Sequence, residues 1–180
     1  MAITKIQSES LNLADTYAFT GTVTGAGGDN KPSFKATNSA DQTLNDNSWT
    51  KVSFNTETYD TDTTYDHSSN YRWTPGIVGK VYISFVCAFD TVGSQQEDRP
   101  MQIQAALYKN GSRDNRFRVA IADSDGGINN LTDCWLTCSG IVETDADDYF
   151  EVYAYSNNEM NHNDGRLKAN SMFSGFKIIT

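Results

Sequence analysis

Nine residues in the middle of the chain, Val81-Tyr82-Ile83-Ser84-Phe85-Val86-Cys87-Ala88-Phe89, restrict the fold more than any other segment. β-Branched and aromatic side chains dominate this run, which favours an extended strand. Alternate side chains of a strand point to opposite faces, so Val81, Ile83, Phe85, Cys87 and Phe89 share one face and Tyr82, Ser84, Val86 and Ala88 the other. Both faces carry apolar groups, and a strand of this kind must be covered on both sides. A sandwich core covers one apolar face per strand. The second face needs another partner.

The remaining segments repeat the short-strand pattern. Trp49-Thr50-Lys51-Val52-Ser53-Phe54 alternates, with Thr50, Val52 and Phe54 on one face. Thr58 to Asn70 reads as a polar, turn-rich loop. Gln102 to Tyr108 ends at Lys109-Asn110-Gly111, and Asn-Gly between alternating runs predicts a tight hairpin. The return strand, Arg116 to Ile121, sets Phe117, Val119 and Ile121 together. Leu131 to Val142 reads as a strand interrupted near Gly140. From Tyr149 to Ser156, Phe150, Val152 and Ala154 face one way and Tyr149, Tyr153 and Tyr155 the other. Ser171 to Ile179 closes the chain. No window shows a helical period, so eight to ten short strands point to an all-β sandwich or barrel.

At 180 residues the chain fits one domain with a short extension, and needs no metal or disulfide to hold a core. A net charge of −9 argues against nucleic acid, whose phosphates require clustered Lys and Arg. No stretch approaches the length of an apolar membrane span. The first residues, Met1 to Gln7, carry no apolar run of signal-peptide length. Cys87, Cys134 and Cys138 are an odd set. The latter two, four apart on one strand face, lie about 13 Å from each other by strand rise, beyond disulfide reach. All three read as reduced, small core residues, which suits assembly in a reducing cytoplasm.

Residues 1–31 differ from the remainder. Their apolar residues are sparse and show no heptads, and Gly25 to Asn30 reads as a flexible joint. This segment is expected to be a docking arm that becomes ordered on a partner, through Ile3, Ile6, Leu11, Leu13, Tyr17 and Phe19. Residues 32–180 form the second unit.

Several short pieces of that unit occur in a familiar order. They are Pro32-Ser33-Phe34-Lys35-Ala36, Val52-Ser53-Phe54-Asn55, Tyr65-Asp66, the aromatic pair Tyr71 and Trp73 followed by Thr74-Pro75, and Gly79 before the long apolar strand. Leu107-Tyr108-Lys109-Asn110-Gly111 and Phe173-Ser174-Gly175-Phe176 complete the set. Together, from Pro32 to Ile179, they resemble the globular complement C1q domain, a jelly roll related to tumour necrosis factor. Two features depart from that pattern. Val81 stands where an aromatic is usual, with Tyr82 beside it, and there is no collagen-like stalk. The arm has its own likeness: Met1 to Gln7, Leu13-Ala14-Asp15 and Phe19 to Val23 resemble leaders of tail-fibre and other structural proteins of bacteriophages, which often end in this jelly roll.

The resemblance implies an all-β jelly-roll sandwich that forms compact homotrimers. The doubly apolar strands supply an independent reason, because symmetry-related copies can cover the second face. Tyr82, Tyr153 and Tyr155 are the expected trimer contacts, since a Tyr ring packs while its hydroxyl finds a partner. Loops on a rigid sandwich commonly carry recognition, which nominates Tyr59, His67, Tyr71 and His162 as contacts to a host-surface glycan or protein.

Catalytic chemistry finds little support. Neither His67 nor His162 lies near a Gly-x-Ser-x-Gly elbow, and two His with three separated Cys do not suggest structural zinc. Paired carboxylates would suit a glycosidase, but such phage enzymes are usually long repeats, and no repeat is present. Asp60-Thr61-Asp62 with Asp66, Asp123-Ser124-Asp125-Gly126 and Asp145-Ala146-Asp147-Asp148 offer oxygen ligands to calcium. None has the full calcium-loop spacing, so solvated loop acids are preferred and no cofactor is expected. Asn110-Gly111-Ser112 and Asn130-Leu131-Thr132 are sequons that matter only in a secretory pathway.

The expectation is therefore a non-enzymatic virion structural protein of a bacteriophage, a homotrimeric fibre knob or capsid decoration assembled in the host cytoplasm. Residues 1–31 would attach it to other virion proteins. The alternative is a secreted cellular binding module of the complement type.

Overall fold

The computed structural model describes residues 29–90, 100–122, 133–158 and 165–179. Of the thirteen strands within them, twelve form two antiparallel sheets and β3 (Ser48–Lys51) lies outside both, and there is no helix among the described residues.

The first sheet is built around the doubly apolar strand. This is β7 (Gly79–Asp90), and β10 (Asp133–Thr144) pairs with its whole length, from Thr144↔Gly79 to Asp133↔Asp90. The other edge of β7 is shared end to end by two strands. β13 (Met172–Lys177) pairs with Val81 to Val86, and β12 (Gly165–Leu167) with Phe89 and Asp90. β1 (Ser33–Thr37) and then β4 (Thr56–Asp60) extend the sheet beyond β13, and β2 (Gln42–Leu44) extends it beyond β12. An ion pair between Arg166 and Asp90 fastens β12 to β7.

The second sheet has the order β5 (Tyr65–Asp66), β6 (Arg72–Trp73), β11 (Phe150–Asn158), β8 (Pro100–Lys109) and β9 (Ser112–Ala122). β3 (Ser48–Lys51) runs beside β11, where Val52 N–H donates to the Val152 carbonyl at 2.9 Å and Asn47 N–H to Ser156 at 2.8 Å. The predicted hairpin joins β8 to β9. Asn110 and Gly111 both have positive φ, 53° and 75°, as a turn matched to strand twist requires.

Aromatic residues fill the space between the sheets. Phe34 stacks on Tyr65 at 4.7 Å and meets both Trp73 and Phe173 at 4.9 Å. The polar atoms of these rings are paired: Tyr65 Oη donates to the Phe54 carbonyl at 3.0 Å and Trp73 Nε1 to Thr64 Oγ1 at 3.0 Å. Burial drives the Tyr65 hydroxyl pKa far up, so it remains a donor. Each buried ring contributes on the order of 2 kcal/mol through area removed from water.

Gly140 and Gly175 oppose Ile83 from either side. A Cβ on Gly175 would lie 2.6 Å from Trp73 Cζ3, and one on Gly140 the same distance from Phe117 Cε1. Both positions therefore have to be glycine for the opposite sheet's rings to close. This corrects the expectation of an interruption near Gly140: β10 continues through it, and the missing side chain is what admits Phe117. Thr58 to Asp60, expected at the start of a polar loop, instead belong to the strand β4 (Thr56–Asp60). It pairs with β1 at the edge of the sheet, where polar side chains remain solvated.

Candidate functional site

Strand registers set out the outward face of the seven-stranded sheet row by row. Ser33, Phe176, Tyr82 and Ile141 form one row across β1, β13, β7 and β10. Lys35, Ser174, Ser84 and Ser139 form the next, and Thr37, Met172, Val86 and Thr137 the third. Ala88 and Trp135 follow. The Tyr82 and Phe176 rings lie 5.1 Å apart. Tyr82, Val86, Met172 and Phe176 are half-buried, whereas Trp135 is 57% exposed and Ile141 60%. The large apolar groups of this face thus stand in two groups, Tyr82, Phe176 and Ile141 at one end and Val86, Met172 and Trp135 at the other, with the polar row of Lys35, Ser174, Ser84 and Ser139 between them.

Of the three expected trimer contacts, only Tyr82 is on this face. Tyr153 and Tyr155 lie on β11, on the outward face of the opposite sheet, so the structure does not bring the three together. Reading the sequence missed Trp135, Ile141 and Phe176. The signal was present in β10, where Cys134, Leu136 and Cys138 face the core and necessarily turn Trp135, Thr137, Ser139 and Ile141 outward.

Tyr153 and Tyr155 belong instead to an aromatic cluster. Tyr153 lies 4.0 Å from the Tyr108 ring, and Trp49 reaches over from β3 to within 6.0 Å of Tyr108 and 5.4 Å of Tyr155. Ala106, fully buried yet separate from the central core cluster, forms the floor beneath these rings. Arg113 stands over Trp49 at 5.2 Å and Lys51 over Tyr153 at 5.9 Å. Lys51 also pairs at 2.6 Å with Glu151, whose side chain is nearly buried. Tyr155 Oη donates to Asn47 Oδ1 at 2.6 Å. Desolvation raises the hydroxyl pKa of both Tyr108 and Tyr153, so both remain neutral donors.

The expected recognition residues fall elsewhere. Tyr59 is an exposed residue of β4, at 46%, while His67 and Tyr71 lie on the connection between β5 and β6. His67 meets Glu57, two residues before Tyr59 on β4, at 3.1 Å, which brings the loop to that edge. Thr63, Thr64, Asp66, His67, Arg72 and Thr74 line an open cleft of about 560 Å³ here. His162 lies outside the described residues, as do the arm positions Ile3, Ile6, Leu11, Leu13, Tyr17 and Phe19.

Three of the loop acids, Asp60, Asp66 and Asp148, hold turns. Asp60 accepts from Tyr65 N–H at 2.7 Å, Asp62 N–H at 3.3 Å and Thr64 Oγ1 at 3.3 Å. Asp66 accepts from the amides of Ser68 and Ser69, from Ser69 Oγ and from Asn70 Nδ2, with the Ser69 amide chief among the groups that push its pKa far down. Burial alone would raise Asp148, yet Lys109, the Asp145 amide and Asn110 outweigh it and hold its carboxyl below the usual range. Asp123 to Gly126 lie outside the described residues. No three His, Cys, Asp or Glu side chains among the described residues converge as metal ligands would. All three cysteines are free, and desolvation raises each thiol pKa, which disfavours the reactive thiolate. No described helix is long and apolar enough to cross a membrane.

No family model matches the sequence, nor does any curated protein. Solved structures do share the architecture. The globular domain of the zebrafish complement 1qA protein superposes with a TM-score of 0.56 at 12% identity, over 83% of this chain and 98% of that one. Murine APRIL at pH 8.5 gives 0.55 at 10% identity, over 81% and 98%, and its structure at pH 8.0 gives the same values. The chain thus has the C1q/TNF-like jelly-roll fold, as the order of its short motifs implied.

Proposed function

We propose that this C1q/TNF-like jelly roll is a non-catalytic, homotrimeric knob of a bacteriophage virion, a fibre or capsid decoration attached to the particle through residues 1–31. The observation that carries the reading is the row of Phe176, Tyr82 and Ile141, with Trp135 farther along the same face of β10, exposed or half-buried apolar groups that no described segment fully covers. A neighbouring copy presenting the same surface, or an edge beside it, removes these groups from water, and closed symmetry limits the assembly. Three copies are the arrangement implied by the resemblance to C1q domains. The likeness of the arm to phage structural leaders, together with three free thiols, favours assembly in a host cytoplasm over secretion. In this reading the knob needs no cofactor, and its Tyr59 and His67 edge faces outward towards a host surface.

Light scattering on the purified chain should return three times 19.9 kDa. A stable monomer with Trp135 and Ile141 in water would remove the basis of the proposal. Mass spectrometry of purified particles tests the location: an intact chain is expected, and a trimmed chain glycosylated at Asn110 would instead identify a secreted complement-type module.

A further inference from the structure

The most developed surface outside the proposed association face is the aromatic cluster on the five-stranded sheet, and an irregularity in β9 makes it cationic. Ala106 pairs with Arg118 and Tyr108 with Arg113, so residues 114–117 stand opposite Leu107 alone. This bulge sends Phe117 inward onto Gly140 and leaves Arg116 paired to Asp114 at 2.7 Å. It also places Arg113 and Arg118, five residues apart in sequence, in successive rungs of one face, about 7 Å from each other along the strand.

Neither guanidinium meets a carboxylate among the described residues. Arg113 stacks over Trp49 and donates to Asn115 Oδ1 at 2.9 Å, and Arg118 donates to Gln104 Oε1 at 2.6 Å. In a chain of net charge −9, two such cations beside four aromatic rings are out of character with the rest of the molecule. The rings brace one another over Ala106, so they need little ordering on binding. Aromatic faces pack against the C–H faces of sugar rings, and a free guanidinium fork matches a carboxylate.

We propose that Trp49, Tyr108, Tyr153 and Tyr155, flanked by Arg113 and Arg118, form a binding shelf for a carboxylate-bearing oligosaccharide. The shelf differs from the β4 edge and the β5–β6 loop nominated for recognition. It rests on the knob reading only in that association through the opposite sheet leaves this face open.

The test is calorimetric titration of the full chain with a galacturonate octamer, a hyaluronan octamer and sialyllactose, with maltooctaose as the neutral control and polyaspartate as a non-sugar polyanion. At least one acidic sugar should bind tenfold or more tightly than both controls, and its affinity should fall as salt rises. Arg113→Gln with Arg118→Gln should weaken it at least tenfold with assembly unchanged. Trp49→Phe should weaken acidic and neutral sugars alike. Absence of binding to all three acidic sugars, equal binding of polyaspartate, or indifference to the double substitution would overturn the shelf. Light scattering on the same samples separates the two proposals: a trimer that binds no acidic sugar defeats the shelf alone, and a monomer that binds one defeats only the assembly.

Discussion

The two sheets turn different surfaces outward, although the same alternation of strand residues produces both. The seven-stranded sheet leaves Trp135 and Ile141 more than half exposed, and no described segment of the chain covers them. On the five-stranded sheet and the adjoining β3, none of the outward rings of the cluster is among the strongly exposed hydrophobics, because Trp49, Tyr108, Tyr153 and Tyr155 shelter one another. Among the described residues, one face is left open and the other is covered by its own rings. Aromatic content alone therefore does not identify an interface. What distinguishes one is apolar surface without an internal neighbour.

A core substitution should abolish the contrast altogether. Gly175→Val drives a side chain into Trp73, and a loss of about 3 kcal/mol or more is expected, read as a lower denaturation midpoint and the loss of both surfaces. Changes confined to one face should separate them. Trp49→Ala removes ring packing from the covered face and should cost about 1–3 kcal/mol while the assembled mass stays the same. Trp135→Glu with Ile141→Glu should do the reverse, converting trimer to monomer with the monomer's own stability changed by less than about 0.5 kcal/mol. If Trp49→Ala dissociated the trimer, the two faces would have to exchange roles.

Acid should act through the turns on both sheets. Asp148 and Asp114 have folded pKa values below those of the unfolded chain. Their stabilisation is therefore complete above the ordinary carboxylate range and is lost as pH falls through the depressed values. Melting temperature should decline below about pH 4. Asp148→Asn should cost about 1–3 kcal/mol at neutral pH and flatten that decline. The smallest effects belong to the outer edge: Tyr59→Ala and His67→Ala should each stay within about 0.5 kcal/mol, with mass unchanged.

Much of this architecture was legible in single segments. The doubly apolar β7, the Asn-Gly hairpin and the inward set Phe150, Val152 and Ala154 follow from period and turn chemistry, which are local properties. Which sheet a strand joins is not local. Alternation correctly set Tyr153 and Tyr155 on the face away from Phe150, but only the pairing of β11 with β8 shows that this face lies across the sandwich from Tyr82. Gly140 misled for a related reason. In isolation a glycine weakens a strand, and its purpose appears only when Phe117 arrives from the opposite sheet. The shelf was hidden further still, because the rungs of Arg113 and Arg118 depend on a bulge that the alternation of Phe117, Val119 and Ile121 does not betray.

Gly140 and Gly175 have a consequence for the outside of the molecule. Each is a backbone position shared by two layers: towards the interior it seats a ring, and immediately beside it Ile141 and Phe176 look outward. A side chain added at either glycine would displace Trp73 or Phe117 and shift the strand that carries the adjoining outward residue. Under the proposed assembly, a substitution at either glycine would therefore be read twice, as a lower denaturation midpoint and as a weaker association.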